Sequence, residues 1–316
     1  MGRLEELLQE VTSVAVSGHI RPDGDCVGSV MSVYQYLKKN MPWIEVKVFL
    51  ETPSSVFDCI FGWEAIDSVM DSAEVFDVFM AFDTTSDRLG AAEAIFHNAK
   101  RTVNIDHHIS NLGCGDINIV VPDAASTCEV VYELLDREKI DVEIAKAIYI
   151  GMIHDTGVFK YSNTTPKTLR IAAELISYGF DFTTIIDETF YEKTYLQNQI
   201  MGRVMMESVR FMDGKCIFGS VSKEMMEFYD VQPKDLEGII NQLRIVKGVE
   251  CAIFMYQTGR MEYKVSLRSN RYVNVEQVAS FFGGGGHIRA AGCVMQGTVH
   301  DVINNLSDRI VLQMKE

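Results

Sequence analysis

The chain has 316 residues, enough for two domains of ordinary size, and 47% of them are hydrophobic, enough for a core in each. No apolar run approaches the roughly 18 residues of a membrane-spanning helix. The formal net charge of −15 disfavours a protein that holds long nucleic acids through their phosphates.

The N-terminus and the cysteines both indicate where the protein is located. The charged N-terminus, Met1-Gly2-Arg3-Leu4-Glu5-Glu6, predicts the start of an amphipathic helix rather than a secretory signal. The seven cysteines are scattered and form no C-x-x-C pair, which argues against a disulfide framework and against a zinc ribbon. We therefore predict a cytoplasmic protein with reduced cysteines and no membrane partner.

A polar turn follows the first predicted strand, residues 13–17, and contains His19, Asp23 and Asp25. Pro22 and Gly24 keep this turn irregular, and helical spacing follows over residues 26–37. Either aspartate can cap that helix. A cap explains one carboxylate but not a histidine with two carboxylates, so the turn favours a metal site.

Strands and helices then alternate. Strands are predicted at 44–50, at 75–82 before Asp83, and at 101–105 before Asp106, with helices near residue 57 and at 91–98. This alternation predicts a parallel sheet, in which ligands collect at the carboxyl ends of the strands near a topological switch point. The polar residues that follow the strands at 13–17, 75–82 and 101–105 should therefore converge.

The third of these strands runs into Asp106-His107-His108. Adjacent side chains on an extended segment point to opposite sides, so we expect the two histidines to have different roles, one toward metal and one toward substrate. Asp–His pairs also close hydrogen bonds in turns, and the tripeptide alone does not decide between the two interpretations.

Two apolar helices are predicted at 127–135 and 142–153, and the second leads into His154-Asp155-Thr156-Gly157. A carboxylate at a helix C-terminus is opposed by the helix dipole. Asp155 therefore requires a cation, which a metal would supply, whereas we expect an outer-shell or structural role for His154.

The second half begins with a polar helical segment at 187–208, interpreted as the connection between domains. Strands are predicted at 216–220, 250–257 and 261–268, the last two joined in a hairpin, with helices at 233–245 and 275–281. Residues 241–292 carry seven Lys or Arg against three acids, a local basic excess. Four glycines, 283–286, are costly in backbone entropy, and we interpret them as a phosphate-binding loop rather than a hinge.

Two divalent ions that share a carboxylate need about six or seven ligands. The strand ends supply enough, namely His19, Asp23, Asp25, Asp83, Asp106, His107, His108 and Asp155. Carboxylates without cysteine favour Mn²⁺ or Mg²⁺ over zinc, and the imidazoles favour Mn²⁺ of the two.

With these motifs in this order, the chain resembles the DHH phosphoesterases, named for Asp106-His107-His108, with a DHH-associated domain that carries the four glycines, His287 and Ala290-Ala291-Gly292. The resemblance implies an α/β fold. Residues 1–188 would form a doubly wound, mainly parallel catalytic domain, residues 189–208 a helical linker, and residues 209–316 a smaller α/β substrate-binding domain. The active site would lie in the cleft between the domains.

The resemblance also implies roles for the site residues. One Mn²⁺ would be held by His19, Asp23 and Asp83, and a second by Asp25, Asp83, His107 and Asp155. Asp106 would orient a histidine, and His108 would contact the scissile phosphate. The remote phosphate of the substrate would be bound by Arg268, Ser269, Gly284, Gly285, Gly286 and His287.

The compact two-domain form resembles the group that combines nanoRNase and pAp phosphatase activities. Such an enzyme trims very short RNAs and dinucleotides, including linear products of cyclic dinucleotides, and removes the 3′-phosphate of adenosine 3′,5′-bisphosphate (pAp). Two alternatives are a manganese inorganic pyrophosphatase and a non-catalytic nucleotide sensor. The sequence leaves open whether the chain forms a homodimer.

Overall fold

The computed structural model describes residues 3–314, and the chain separates into two compact units, Met1–Glu192 and Lys193–Glu316. Met1 and Gly2, which were predicted to begin the first helix, lie outside the described residues. Within residues 3–314, no helix combines the length and the apolar character needed to cross a membrane.

The first unit contains a six-stranded sheet in which every pair of neighbours is parallel, in the order β3-β2-β1-β4-β5-β6. The strands are β1 Ser13–Gly18, β2 Glu45–Phe49, β3 Ile66–Asp67, β4 Val78–Phe82, β5 Thr102–Asp106 and β6 Ile117–Val120. This order confirms the predicted doubly wound sheet. The chain moves outward from β1 to β3 and returns to the other side of β1 at β4, so the switch point lies between β1 and β4.

Helices cover both faces of this sheet. They are α1 Arg3–Leu7, α2 Gly24–Asn40, α3 Glu93–Asn98, α4 Thr127–Leu134, α5 Val142–Asp155, α6 Pro166–Ile176 and α7 Phe182–Ile186. Polar side chains cap the N-termini of four of these helices: Asp23 caps α2, Ser126 caps α4, Asp141 caps α5, and Thr165 forms a capping box before Pro166 of α6. The larger apolar cluster lies between the sheet and α2, α4, α5 and α6, and a smaller one lies under α3.

Helices α2 and α5 approach closely at two glycines. A Cβ on Gly28 would lie 2.6 Å from the carbonyl oxygen of Ala147. A Cβ on Gly151 would lie 2.2 Å from the Sγ of Cys128 and 3.0 Å from the Oδ1 of Asp25. The absence of side chains at these two positions therefore sets the spacing of α5 against α2 and α4.

The second unit contains a mixed six-stranded sheet in the order β11-β12-β10-β9-β8-β7. Its strands are β7 Val209–Phe211, β8 Cys216–Val221, β9 Cys251–Gly259, β10 Glu262–Ser269, β11 Gly285–His287 and β12 Ala290–Gln296. Strands β8 and β9 pair in parallel and the others antiparallel, including the predicted β9–β10 hairpin.

The helices of the second unit are α8 Tyr195–Glu207, α9 Lys223–Tyr229, α10 Ile239–Arg244, α11 Val275–Phe281 and α12 Val299–Met314. The helix predicted over 233–245 is instead a 3₁₀ turn, Pro233–Leu236, followed by α10, because Gly238 adopts a left-handed φ of 87° between them. One sheet face packs apolar side chains under α11 and α12, and the other packs under α8 and α10.

Candidate metal centre

Carboxylates and imidazoles gather at the carboxyl ends of β1, β4 and β5, on both sides of the switch point. They form three overlapping clusters whose ligand atoms all lie within 4.8 Å of one another inside each cluster. The clusters are His19, Asp23 and Asp83; Asp25, His107 and Asp155; and Asp83, Asp106, His107 and His108. Residues from four separate segments of the sequence are therefore brought to one place.

Asp83 lies between the first two clusters. It follows β4 directly, its amide donates to the carbonyl of Ile105 at 2.9 Å, and its φ is 56°, a left-handed conformation that is uncommon outside glycine. Its Oδ2 lies 3.5 Å from the Nε2 of His19, and its Oδ1 lies 3.6 Å from the Nε2 of His107. Each carboxylate oxygen thus faces a different histidine.

Backbone carbonyls fix the orientation of both histidines. The Nδ1 of His19 lies 2.8 Å from the carbonyl oxygen of Ile20, and the Nδ1 of His107 lies 3.2 Å from that of Ala124. A carbonyl only accepts, so each Nδ1 carries a proton, and the Nε2 of each ring is turned toward carboxylates. Such an arrangement is repulsive unless a proton or a metal ion lies between the two groups.

Asp25 is one of the deeply buried carboxylates of the centre, with 2% of its surface exposed. Its oxygens accept from the amides of Thr127, at 2.6 Å, and Cys128, at 2.9 Å, at the N-terminus of α4. Burial, followed by the neighbouring Asp83 carboxylate, raises the pKa of Asp25 to about 7. The helix N-terminus therefore only partly compensates the charge of this carboxylate.

Asp155 ends α5, as the sequence predicted. Its Oδ2 is buried, has no hydrogen-bond donor, and lies 3.2 Å from the Nε2 of His107. Burial and then the charge of Asp25 raise the pKa of Asp155 to about 9. At His19, burial opposes protonation, but hydrogen bonds to Asp23 and Asp83 outweigh it and raise the pKa to about 10.

These observations test whether the residues fit a metal. A buried carboxylate oxygen without a donor, two imidazole Nε2 atoms facing carboxylates, and raised pKa values of Asp25, Asp155 and His19 all show that the centre is short of positive charge. A divalent cation bound by oxygen and imidazole would supply that charge. The donor set therefore fits a metal centre without cysteine.

Asp106 serves a different purpose from the other carboxylates. Its Oδ1 accepts from the amides of His107 and His108 and lies 2.8 Å from the Nδ1 of His108, and its Oδ2 accepts from Asn111. Both oxygens are thus engaged within the protein. The hydrogen bond to Asp106 holds the ring of His108 in place and raises the pKa of His108. Because this bond uses Nδ1, the Nε2 of His108 is not engaged by Asp106.

The expectation that His107 and His108 point to opposite sides is wrong. Their ring centroids lie 4.7 Å apart, and both rings approach the Oδ1 of Asp83. Strand β5 ends at Asp106, and the following backbone turns so that both histidine amides donate to one oxygen. The alternation of an extended strand does not continue past that point.

His154 lies outside the three clusters. Its ring packs edge-on against Phe57 and Phe190, with centroids 4.9 and 5.4 Å away, and its Nε2 lies 3.2 Å from the Oγ1 of Thr189. A Cβ on Gly24 would lie 2.4 Å from this ring. His154 therefore supports the start of α2 from the side, which agrees with the structural role expected of it.

Sequence reasoning missed two contributors to the centre. Thr127 donates its hydroxyl to Asp83 at 2.9 Å in addition to its amide contact with Asp25, and Asn111 joins Asp106 to Asn104 and to the carbonyl of Thr84. The only signals were a serine and a threonine opening a predicted helix and an asparagine three residues after His108. Neither pattern identifies a long-range partner.

The residues proposed to bind the remote phosphate lie in the second unit. His287 of β11 and Arg268 of β10 are both in register with Ala290 of β12, so the three positions form one row across the sheet. Ser269 is buried and donates its hydroxyl to the carbonyl of Val273 at 2.6 Å, which commits it to the fold.

The predicted glycine loop is in part a strand, because Gly285, Gly286 and His287 form β11. Close backbone contact explains two of the glycines. A Cβ would lie 2.2 Å from the carbonyl oxygen of Gly292 at Gly284, and 2.5 Å from that of Ala290 at Gly286, where φ is 145°. Gly285, by contrast, has open space around its Cα.

A doubly wound sheet with carboxylate–imidazole clusters at its switch point defines a two-domain α/β protein built to hold metal ions. The family comparison gives the particular class. Residues 13–152 match the DHH family, N-terminal domain, and residues 213–316 match the DHHA1 domain. The chain belongs to the DHH family of metal-dependent phosphoesterases.

Relatives of known name cover almost the entire chain. The bifunctional oligoribonuclease and PAP phosphatase NrnA of Thermus thermophilus is 30% identical over 306 residues, which are 94% of this chain and 89% of that protein. The Bacillus subtilis protein of the same name is 25% identical over 296 residues, 91% of each chain. Among solved structures, an exopolyphosphatase-related protein from Bacteroides fragilis is 26% identical, with a TM-score of 0.87 over 97% of this chain and 94% of that one.

Proposed function

We propose that this enzyme hydrolyses very short oligoribonucleotides and dinucleotides to mononucleotides and removes the 3′-phosphate of pAp, using two Mn²⁺ ions. The names of the two NrnA relatives support the substrates. The placement of Asp83, with one oxygen toward His19 and the other toward His107, carries the two-ion proposal. Mg²⁺ is the other candidate ion, since it also prefers oxygen ligands.

The proposed ligand sets build on two of the observed clusters and add Asp83 to the second. His19, Asp23 and Asp83 would hold one ion, and Asp25, Asp83, His107 and Asp155 the other. Asp83 is the shared ligand of this scheme because its two oxygens point into different clusters. Two ions held by these residues would stabilise the attacking and leaving oxygens of a phosphoester and lower the pKa of bound water.

The remaining residues of the centre would orient the substrate. His108 is held by Asp106 through Nδ1, so its Nε2 can contact an oxygen of the scissile phosphate. Asn111 and the amides that donate to Asp106 keep this pair rigid. We propose that Arg268, His287 and the glycine segment contact the remote phosphate, with Ser269 holding the backbone beside Arg268.

A cytoplasmic location forms part of the proposal. All seven cysteines are free, and thiols persist in a reducing compartment.

The test is a panel of 5′-labelled RNAs of two to ten nucleotides, pAp and inorganic pyrophosphate, each incubated with Mn²⁺ and with EDTA. We expect hydrolysis of the shortest RNAs and of pAp with Mn²⁺, weak activity on the longest RNAs, and none in EDTA. Turnover of pyrophosphate alone would favour the pyrophosphatase alternative. Binding of nucleotides without any phosphate release would favour a sensor.

A further inference from the structure

Asn163 lies in the loop between α5 and α6 and donates its side-chain amide to two backbone carbonyls. The Nδ2 of Asn163 lies 2.9 Å from the carbonyl oxygen of Ala125 and 3.2 Å from that of Asp155. A side-chain amide carries two N–H donors, so both bonds form at once. One side chain therefore joins the segment before α4 to the end of α5.

The first of these segments supports two of the proposed metal ligands. The carbonyl of Ala124, the residue before Ala125, orients the ring of His107 through Nδ1. Ser126, the residue after Ala125, caps α4, whose first two amides donate to Asp25. A shift of the backbone at Ala125 would therefore move His107 and Asp25 together.

The second segment carries a further ligand. Asp155 ends α5, and Asn163 holds its backbone carbonyl. Asp25, His107 and Asp155 form one of the three clusters of the metal centre. The two bonds of Asn163 thus reach the backbone that supports every member of this cluster, whereas the turn after β1, which carries His19, receives neither bond. We call the ion that this cluster would hold the second ion, and the ion beside His19 the first ion.

A left-handed turn over residues 157–159 returns the chain to Asp155. Val158 has a φ of 56°, which is strained for a β-branched residue, and its amide donates to the carbonyl of Ile153 at 2.7 Å. Strained backbone persists only where the surrounding structure holds it, and it is concentrated at functional sites. This turn brings the amide of Asn163 to a carbonyl eight residues earlier in the chain.

The amide of Asn163 has one orientation. Carbonyl oxygens only accept, so Nδ2 must face Ala125 and Asp155. The Oδ1 of Asn163 is buried and has no donor among the residues that the structure describes. The side chain therefore contributes through its two N–H donors.

We propose that Asn163 is a positioning residue for the second ion, an inference that rests on the two-ion function proposed above. Asn163 does not bind the ion itself. It holds the two backbone segments that carry or orient Asp25, His107 and Asp155, so that their ligand atoms stay at one place. The first ion does not depend on Asn163.

Asn40 offers a matched control in the same unit. Its Nδ2 donates to the carbonyl of Tyr36, at 3.1 Å, and to that of Lys139, at 3.3 Å. It ends α2, at the opposite end of that helix from Asp25. Loss of this amide removes the same kind and number of hydrogen bonds without disturbing the segments that hold the ligands.

Calorimetric titration of Mn²⁺ into metal-free Asn163→Ala and Asn40→Ala tests the proposal, together with thermal melts in EDTA. We expect similar decreases in Tm for both variants. In Asn163→Ala the second ion should bind about 10- to 100-fold more weakly, the usual effect of losing a group that orients metal ligands. The first ion should keep its affinity in Asn163→Ala, and both ions should keep theirs in Asn40→Ala. His19→Ala, which removes a ligand of the first ion, shows which binding step belongs to that ion.

Wild-type affinity for both ions in Asn163→Ala would overturn the proposal, because the residue would then be merely structural. Equal weakening of both ions would overturn it as well, since that would indicate a general defect. If Asn163→Ala does not fold, Asn163→Ser, which keeps one donor on a shorter side chain, replaces it and the same outcomes decide. A wild-type protein that binds fewer than two Mn²⁺ ions would instead contradict the two-ion function, and the role of Asn163 with it.

Discussion

The Nδ1 of His108 lies 2.8 Å from the Oδ1 of Asp106, and the same oxygen also accepts the amide protons of His107 and His108. One carboxylate oxygen therefore fixes the turn after β5 and decides which nitrogen of His108 faces outward. The proposed contact between His108 and the substrate phosphate depends on this hydrogen bond.

Asp106→Asn should lower kcat/KM about 10- to 100-fold, the usual effect of losing a group that orients a functional histidine. Asp106 raises the pKa of His108. Without the carboxylate that pKa falls, so less His108 is protonated at a given pH, and the alkaline limb of the rate profile should move to lower pH. Profiles at saturating Mn²⁺ measure this shift, with exposed Asp87→Asn as the control. An unmoved limb in Asp106→Asn would remove His108 from the role proposed.

Substitutions at Asp83 and at His154 should have different effects, because Asp83 belongs to the metal centre and His154 only supports it. Asn tolerates the left-handed backbone of Asp83 but cannot supply an anionic bridge, so Asp83→Asn should reduce both metal content and activity by orders of magnitude. His154→Ala removes ring contacts with Phe57 and Phe190 and should cost about 1–3 kcal/mol of stability. Its activity should stay within about tenfold of wild type. Metal analysis, thermal melting and kinetics on both variants check this, and similar metal loss in the two would contradict the assignment.

Stability without metal should fall as the pH rises. The pKa of Asp25 is raised to about 7 and that of Asp155 to about 9, against about 3.9 in an unfolded chain. Between pH 5 and 8 the folded state therefore holds protons that the unfolded state has released, and the free energy of unfolding decreases with pH. In EDTA the Tm should drop across this range.

Mn²⁺ should remove that decrease, since it replaces the protons and binds the folded state. Thermal melts at pH 5, 6, 7 and 8, with EDTA and with Mn²⁺, give the comparison. A Tm in EDTA that rises steadily from pH 5 to 8 would show that these carboxylates are not held in the protonated form.

Arg268→Ala should lower kcat/KM on dinucleotides and pAp about 10- to 100-fold, because one or two charge-assisted contacts to the remote phosphate are lost. Metal content and hydrolysis of a small aryl phosphodiester should stay nearly unchanged, as that substrate has no remote phosphate. Arg260→Ala, at the exposed β9–β10 turn, is the matched control. An equal loss on the aryl diester would assign Arg268 to the chemistry or to the fold.

The sequence predicted the features that depend on local pattern. Strand–helix alternation was sufficient for the parallel sheet, and polar residues at the strand ends were sufficient for the convergence of His19, Asp83 and Asp106. The position of Asp155 at a helix C-terminus, opposed by the helix dipole, also indicated a residue whose Oδ2 is buried without a donor. In each case a short stretch of residues carries the physical reason.

Features that depend on distant backbone were not predictable in this way. Thr127 reaches Asp25 across 102 residues, and no spacing in the sequence indicates that contact. The glycine segment was interpreted from its flexibility, whereas β11 forms because β12, which was not predicted, lies alongside it. The orientation of His107 and His108 depends on where β5 ends, and strand boundaries are the least certain part of pattern reasoning.

The glycine contact between α2 and α5 extends the functional region beyond the residues that carry chemistry. Asp25 lies on α2 and Asp155 ends α5. An added methyl at Gly28 would push α5 away from α2, and one at Gly151 would push α5 away from α4 and crowd Asp25, so either would displace these carboxylates. A mutational screen would then score both glycines as severely as a lost ligand. Tolerance to alanine is therefore a poor guide to which residues of this protein take part in its reaction.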